Sequence, residues 1–156
     1  MKLMQIETVI GQHSGLSRKV LDYSLEMKRM IEAGKQPGFS EADWAGLAAM
    51  VATDRFERVG NFKEVMTWPE YVGFLTGWVR SSEWECSFKR VTQSGNVVFL
   101  ELEERSRVGD QASVVNSVSV YEFDAAGKIG HLDIYLQMSM PDPALLQHYA
   151  GMEIVG

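Results

Sequence analysis

A single cysteine, Cys86, stands in the 156-residue sequence. One thiol excludes an internal disulfide and a zinc site built from several thiolates. Excess positive charge is missing too: 15 Lys and Arg against 21 Asp and Glu leave a formal net charge of −6. There is no basic run and no basic–aromatic stripe. That argues against nucleic acid as a partner, since phosphate neutralisation supplies most of that affinity. It argues equally against an anionic membrane surface. No stretch reaches the roughly 18 apolar residues that a membrane span requires. The opening MKLMQIETVIGQHSG lacks an apolar core of signal-peptide length. A cytoplasmic protein is expected. Repeats, low-complexity segments and linkers are absent. So are a Gly-rich phosphate loop after a strand and any metal-like His/carboxylate spacing. Neither metal nor cofactor is expected.

The chain is long enough for one domain with a real core, and its 46% hydrophobic content is ordinary for a globular protein. Residues 1–14 show no clear periodicity and read as an N-terminal arm. Leu16, Val20, Tyr23, Met27, Met30 and Ile31 then recur at helical spacing until Gly34 and Pro37-Gly38. A second helix is expected from Ser40, with Asp43 completing a capping box. Arg55–Val59 alternates like a short strand. A third helix opens at Thr67-Trp68-Pro69-Glu70, with Thr67 as N-cap and Pro69 in the tolerated first turn. After Ser82 the period switches to two. Strands are expected near 84–92, 96–108, 111–124 and 128–138, separated by turns at Ser94-Gly95-Asn96, Gly109-Asp110 and Ala125-Ala126-Gly127. Helices first and an antiparallel meander after them make an α+β domain over 15–140, followed by a C-terminal tail at 141–156.

Turn lengths set the strand register, and register decides which face is inside. A two-residue Gly109-Asp110 turn pairs Glu103 with Asn116 and Glu101 with Val118. A three-residue Ala-Ala-Gly loop, with its glycine left-handed, pairs Val120 with Leu132 and Val118 with Ile134. A four-residue turn at Gln93–Asn96 sets Phe88 against Glu101 and Cys86 against Glu103. Together these place Trp84, Cys86, Phe88, Phe99, Val118, Val120, Leu132, Ile134 and Leu136 on one apolar face. Glu101, Glu103, Arg105 and Asn116 share it. This face is expected to meet the helices, carrying charge inward. Ionised groups there must be paired or line a wet cavity. Leu100, Leu102, Glu104, Tyr121, His131, Asp133 and Tyr135 fall on the opposite face.

Three helices, an early strand and a meander ending in VSVYEFDAAGKIGHLDIYLQ (residues 118–137) resemble the nuclear-transport-factor-2-like superfamily, in its SnoaL-like and ketosteroid-isomerase-like branch. The resemblance covers roughly residues 15–140. It implies a cone-shaped, curved antiparallel sheet wrapped around three N-terminal helices. It further implies an interior that binds small, mostly apolar molecules, and dimers in many members. Limonene epoxide hydrolases of this superfamily carry Arg-x-Asp on the third-last strand and a second Asp on the last. Here Arg107 and Ile134 stand at the two aspartate positions, so that mechanism is not expected. Such folds host many functions, so activity must be argued from a site.

The expected site is therefore catalytic Glu101 or Glu103 as acid/base, with Arg105 and Asn116 as electrostatic partners. A carboxyl in an apolar pocket is tuned toward proton transfer at neutral pH. Tyr23, Trp44, Trp68, Tyr71, Trp78, Phe88, Leu132 and Ile134 are the expected substrate-binding walls. A second candidate site is His131, Asp133 and Tyr135, where a carboxylate orients a titratable imidazole. The expected function is a cofactor-independent lyase, isomerase or dehydratase acting by acid–base catalysis on a small apolar cyclic or aromatic metabolite. The expected assembly is a homodimer through the convex sheet face. The alternative is a non-catalytic ligand-binding or adaptor module. A pocket of a few hundred cubic ångströms favours the enzyme.

Overall fold

The computed structural model describes residues 3–139. Helix α1 (Ile6–Val9) runs through a 3-10 turn toward α2 (Gly15–Ala33). A second 3-10 turn (Glu41–Trp44) leads into α3 (Ala45–Ala48). Strands β1 (Glu57–Val59) and β2 (Val65–Thr67) precede α4 (Trp68–Trp78). The meander follows as β3 (Ser82–Ser94), β4 (Val97–Val108), β5 (Gln111–Phe123) and β6 (Ile129–Met138). The sheet order is β2-β1-β6-β5-β4-β3. This is an α+β fold, a curved, unclosed sheet against helices.

Local chemistry starts the elements where the sequence places them. At α4 the Thr67 backbone N–H donates to Glu70 Oε2 at 2.8 Å, and Thr67 Oγ1 accepts from the Glu70 N–H at 3.5 Å. Ahead of the Glu41–Trp44 turn, the Ser40 N–H donates to Asp43 Oδ2 at 2.8 Å. Gly127 adopts φ 76° in the loop joining β5 to β6, a left-handed conformation that a side chain would strain. Helix α2 buries Val20, Leu21, Tyr23, Ser24, Met27 and Ile31 along one stripe.

Several expectations are corrected. The sheet is mixed, because β1 runs parallel to β6, with Arg58 opposite Leu132. Strand β2 hydrogen-bonds β1 antiparallel and had no sequence expectation. Residues 6–12 are not a loose arm: Ile6 and Val9 are buried in the core, and Met4 bridges to Phe88. The tail expected at 141–156 lies outside the described residues.

The main correction concerns which side of the β4–β5 hairpin is inside. Its register is as expected, with Glu103 opposite Asn116 and Glu101 opposite Val118. The neighbouring pairs are shifted. Phe123 pairs with Ile129, but Glu122 pairs with His131, so Gly130 is an extra residue in β6. From there on Tyr121 faces Leu132 and Ser119 faces Ile134. Between β3 and β4, Ser94 pairs with Val97 across a two-residue Gly95-Asn96 turn. Lys89 is then extra, leaving Phe88 opposite Leu102 and Cys86 opposite Glu104. A bulge adds one unpaired residue, and one residue of slip exchanges the faces. Both bulges flank the same hairpin, so β3 and β6 face as expected while β4 and β5 are inverted between them. Leu100 and Leu102 are buried at 1% and 4% exposure, together with Tyr121 and Leu132.

Candidate functional site

A cavity of about 340 Å³ lies between the helices and the inner sheet face. Tyr23, Ser24, Met27 and Ile31 reach it from α2, and Tyr71, Phe74, Leu75 and Trp78 from α4. Both sets follow three- and four-residue steps, so each helix presents one stripe. The sheet side includes Leu132, Ile134 and Leu136 of β6, Ser113, Ser119 and Tyr121 of β5, Leu102, Glu104 and Ser106 of β4, Trp84 of β3 and Arg58 of β1. Phe74 and Met138 line it and are about half exposed, which marks the mouth. Arg58, across from Leu132 and Tyr121, belongs to the other end.

The polar groups are few. Glu104 Oε1 accepts the Trp84 indole N–H at 2.9 Å. The Arg58 guanidinium lies over the Tyr71 ring, 4.9 Å from its centroid. Its Nη1 is 3.6 Å from Glu64 Oε1, beyond a good charge-assisted hydrogen bond. Arg58 Nε and the Tyr23 hydroxyl are buried with no hydrogen-bond partner among the described residues. The Tyr23 and Tyr121 rings meet edge-on at 5.7 Å.

Burial raises the pKa of all three phenols. Neighbouring Tyr71 and Tyr121 push Tyr23 up further, against a downward pull from Arg58. For Tyr71 burial outweighs the lowering by Arg58, and for Tyr121 it outweighs hydrogen bonds to Ser24 and Ser119. At neutral pH these tyrosines are therefore protonated and can donate. The charge of Glu104 raises both Tyr71 and Tyr121, while Arg58 lowers Tyr71. Tyr71 thus feels the site's anion and its cation together. Cys86, pushed up to about 12 by burial and by the Glu104 charge, is a packing thiol with no nucleophilic character.

The expected catalytic set is not in the cavity. Glu101, Glu103, Arg105 and Asn116 point to the outer face, turned there by the two bulges. Glu101 accepts from Arg90 at 2.8 Å and Glu103 from Arg105 at 2.9 Å. Arg105 also donates to Ser87 at 3.0 Å, and Asn116 bonds Gln137 and Lys89. These are ion pairs and hydrogen bonds of a solvated sheet surface. The second candidate set lies on that face too. His131 Nε2 is 2.9 Å from Asp133 Oδ1, with Glu57 Oε1 3.6 Å from Nδ1, and Tyr135 is 59% exposed.

Among the expected walls, Tyr23, Tyr71, Trp78, Leu132 and Ile134 line the cavity. Trp44, Trp68 and Phe88 do not. The Trp44 Nε1–H donates to Thr76 Oγ1 at 2.9 Å between helices, Trp68 packs on Phe56 and Tyr71, and Phe88 sits under Met4 and His13. Sequence reasoning missed Arg58, Glu104, Tyr121, Ser24 and Ser119. A signal existed for two of them. Arg58 shares strand parity with buried Phe56, and Glu104 shares it with Leu100 and Leu102.

Among the described residues, no His/Cys/Asp/Glu cluster is placed to hold a metal, and no helix is long and apolar enough to cross a membrane. No family model and no curated protein matches the sequence. Solved structures do match. A Δ5-3-ketosteroid isomerase from Mycobacterium sp. superposes with a TM-score of 0.56 at 16% identity, over 78% of this chain and 98% of that one. A nuclear-transport-factor-2-like protein from Anabaena variabilis gives 0.55 at 16% identity, over 81% and 96%. An LEH-like epoxide hydrolase from Mycobacterium tuberculosis gives 0.53 at 17% identity, over 72% and 84%. At such identities the likeness is one of fold.

Proposed function

We propose that this chain, which has the nuclear-transport-factor-2-like fold, is a cofactor-independent acid–base enzyme of the SnoaL-like and isomerase type. Its reaction is a lyase, isomerase or dehydratase step on a small, largely apolar cyclic or aromatic metabolite. The observation that carries this reading is Glu104, the one carboxylate lining this largely apolar and aromatic cavity among the described residues. The Trp84 indole holds one carboxylate oxygen and leaves the other to accept a proton. The proton comes from a carbon of the substrate, and the electron pair of the broken C–H bond spreads into a conjugated carbonyl. The proton returns at another carbon in an isomerisation, or joins the hydroxyl that leaves the neighbouring carbon, as water, in a dehydration. Protonated phenols and the Arg58 cation receive the oxygen-bearing part of the substrate.

The reading extends to a cytoplasmic homodimer joined through the outer sheet face, where Phe99 and Tyr135 are exposed beside half-buried Val118 and Val120. The bond from Trp84 also suits a second reading, a non-catalytic binding module in which Glu104 is simply a satisfied structural acid.

Proton exchange separates the two. Cyclic enones and aromatic ketones are incubated with the protein in D₂O and followed by NMR. Wild type should exchange the acidic C–H, and Glu104→Gln should slow this by at least about 10²-fold, the usual contribution of a positioned base. Bound ligands that exchange equally with and without Glu104 defeat the enzyme reading.

A further inference from the structure

Most buried polar groups in folded proteins have a partner, and an orphan is costly, more so when charged. Two orphans line this one cavity, one from helix α2 and one from strand β1. The Tyr23 hydroxyl sits on a side chain 3% exposed, and Arg58 Nε on a side chain 15% exposed. Both lie at the end away from Phe74 and Met138. Both offer hydrogens: the guanidinium has donors only, and burial keeps the phenol protonated. Among the described residues neither meets an acceptor. Glu64 is 3.6 Å from the other side of the guanidinium, with its own side chain 40% exposed. Tyr71 offers Arg58 the face of its ring, and Glu104 is bonded to Trp84 toward the mouth.

From these donors we infer that the ligand is a carboxylic acid with a hydrophobic ring body, its carboxylate seated on Arg58 Nε and the Tyr23 hydroxyl. A carboxylate is planar, accepts through two oxygens and matches the guanidinium edge, whereas a single neutral carbonyl offers one oxygen to two donors. Leu132, Ile134, Met27 and Ile31 take the apolar body. The same placement turns the far side of the ring toward Glu104. The inference rests on the proposal that the cavity is the substrate site, and it adds the chemical class and the orientation.

The test is isothermal titration of the intact protein with 2-naphthoate and its uncharged isostere 2-naphthamide. Wild type should bind the acid about 10- to 100-fold more tightly, the span expected of a charge-assisted hydrogen bond. Arg58→Gln should bring that ratio to about one while leaving amide binding in place. Tyr23→Phe should weaken the acid several-fold. In ligand-free protein Tyr23→Phe should also melt at the same temperature as wild type or higher, because it deletes an unpaired hydroxyl. A lower melting temperature means the hydroxyl has a structural role, and the inference fails. Equal binding of acid and amide overturns the carboxylate and leaves the cavity a ligand site. No binding by either compound overturns the inference and the proposed function with it.

Discussion

Replacing Leu100 with Ala tests the inverted hairpin most directly. Leu100 is 1% exposed on the inner face of β4, in line with Leu102. The substitution removes three carbons from the core. At about 0.8 kcal/mol per buried methylene, transfer alone costs roughly 2.4 kcal/mol. The unfilled space adds to this, and buried Leu→Ala changes fall near 3–4 kcal/mol. For a chain of this size that lowers the melting temperature by roughly 10 °C. The adjacent residue is the control. Glu101 lies outward, and its partner Arg90 has a side chain 62% exposed. Glu101→Ala should therefore cost less than about 1 kcal/mol. Urea denaturation of both variants, fitted with a common slope, measures the difference. Similar costs, or a larger one for Glu101, would refute the bulge-shifted register and restore the carboxylates to the interior.

Two further outcomes follow from packing and burial. Gly34→Ala should destabilise by about 1–3 kcal/mol in the same denaturation assay, despite alanine's better helix propensity. A β-carbon there would clash with Val79 Cγ2 and lie 2.6 Å from its Cβ, inside a full core. Unchanged or increased stability would contradict that contact. Stability should also hold up to about pH 10 and fall above it. Tyr23, Tyr71 and Tyr121 have raised pKa values in the folded state, while the unfolded chain ionises them near pH 10. Above that pH the unfolded state gains by losing protons that the folded state retains, so the stabilisation present below it is lost. Phenolate absorbance from these three residues in still-folded protein near pH 10 would count against the buried cluster.

The two hairpin loops explain how far the sequence could be read. Gly127 and its three-residue loop were legible, because a left-handed glycine has few other uses there, and the Asp124 N–H does bond the Lys128 carbonyl at 2.8 Å. Gly130, three residues on, carries no such mark, and the bulge at Lys89 lies in a run where every residue suits a strand. Both faces of β4 and β5 offer apolar residues, Phe99, Val118 and Val120 against Leu100, Leu102 and Tyr121. Composition therefore could not arbitrate once parity was lost. The helix contributions to the cavity survived, because a helical stripe does not depend on register with a distant strand. Arg58 was hidden differently. Its strand has three residues and gains its inward direction from parallel pairing with β6, a contact across about half of the chain.

Met4 has a role beyond packing. Strand β3 is the longest edge of an open sheet, and an uncovered edge invites a second chain to add itself. Met4 exchanges backbone hydrogen bonds with Phe88 in both directions, beside the bulge, while Glu83, Glu85, Lys89 and Arg90 put charge along the rest. The first turn of chain is in this sense a guard on the sheet. The strand that carries Trp84 to the cavity on one face thus has its outer border shielded from a second chain by Met4 and by charge.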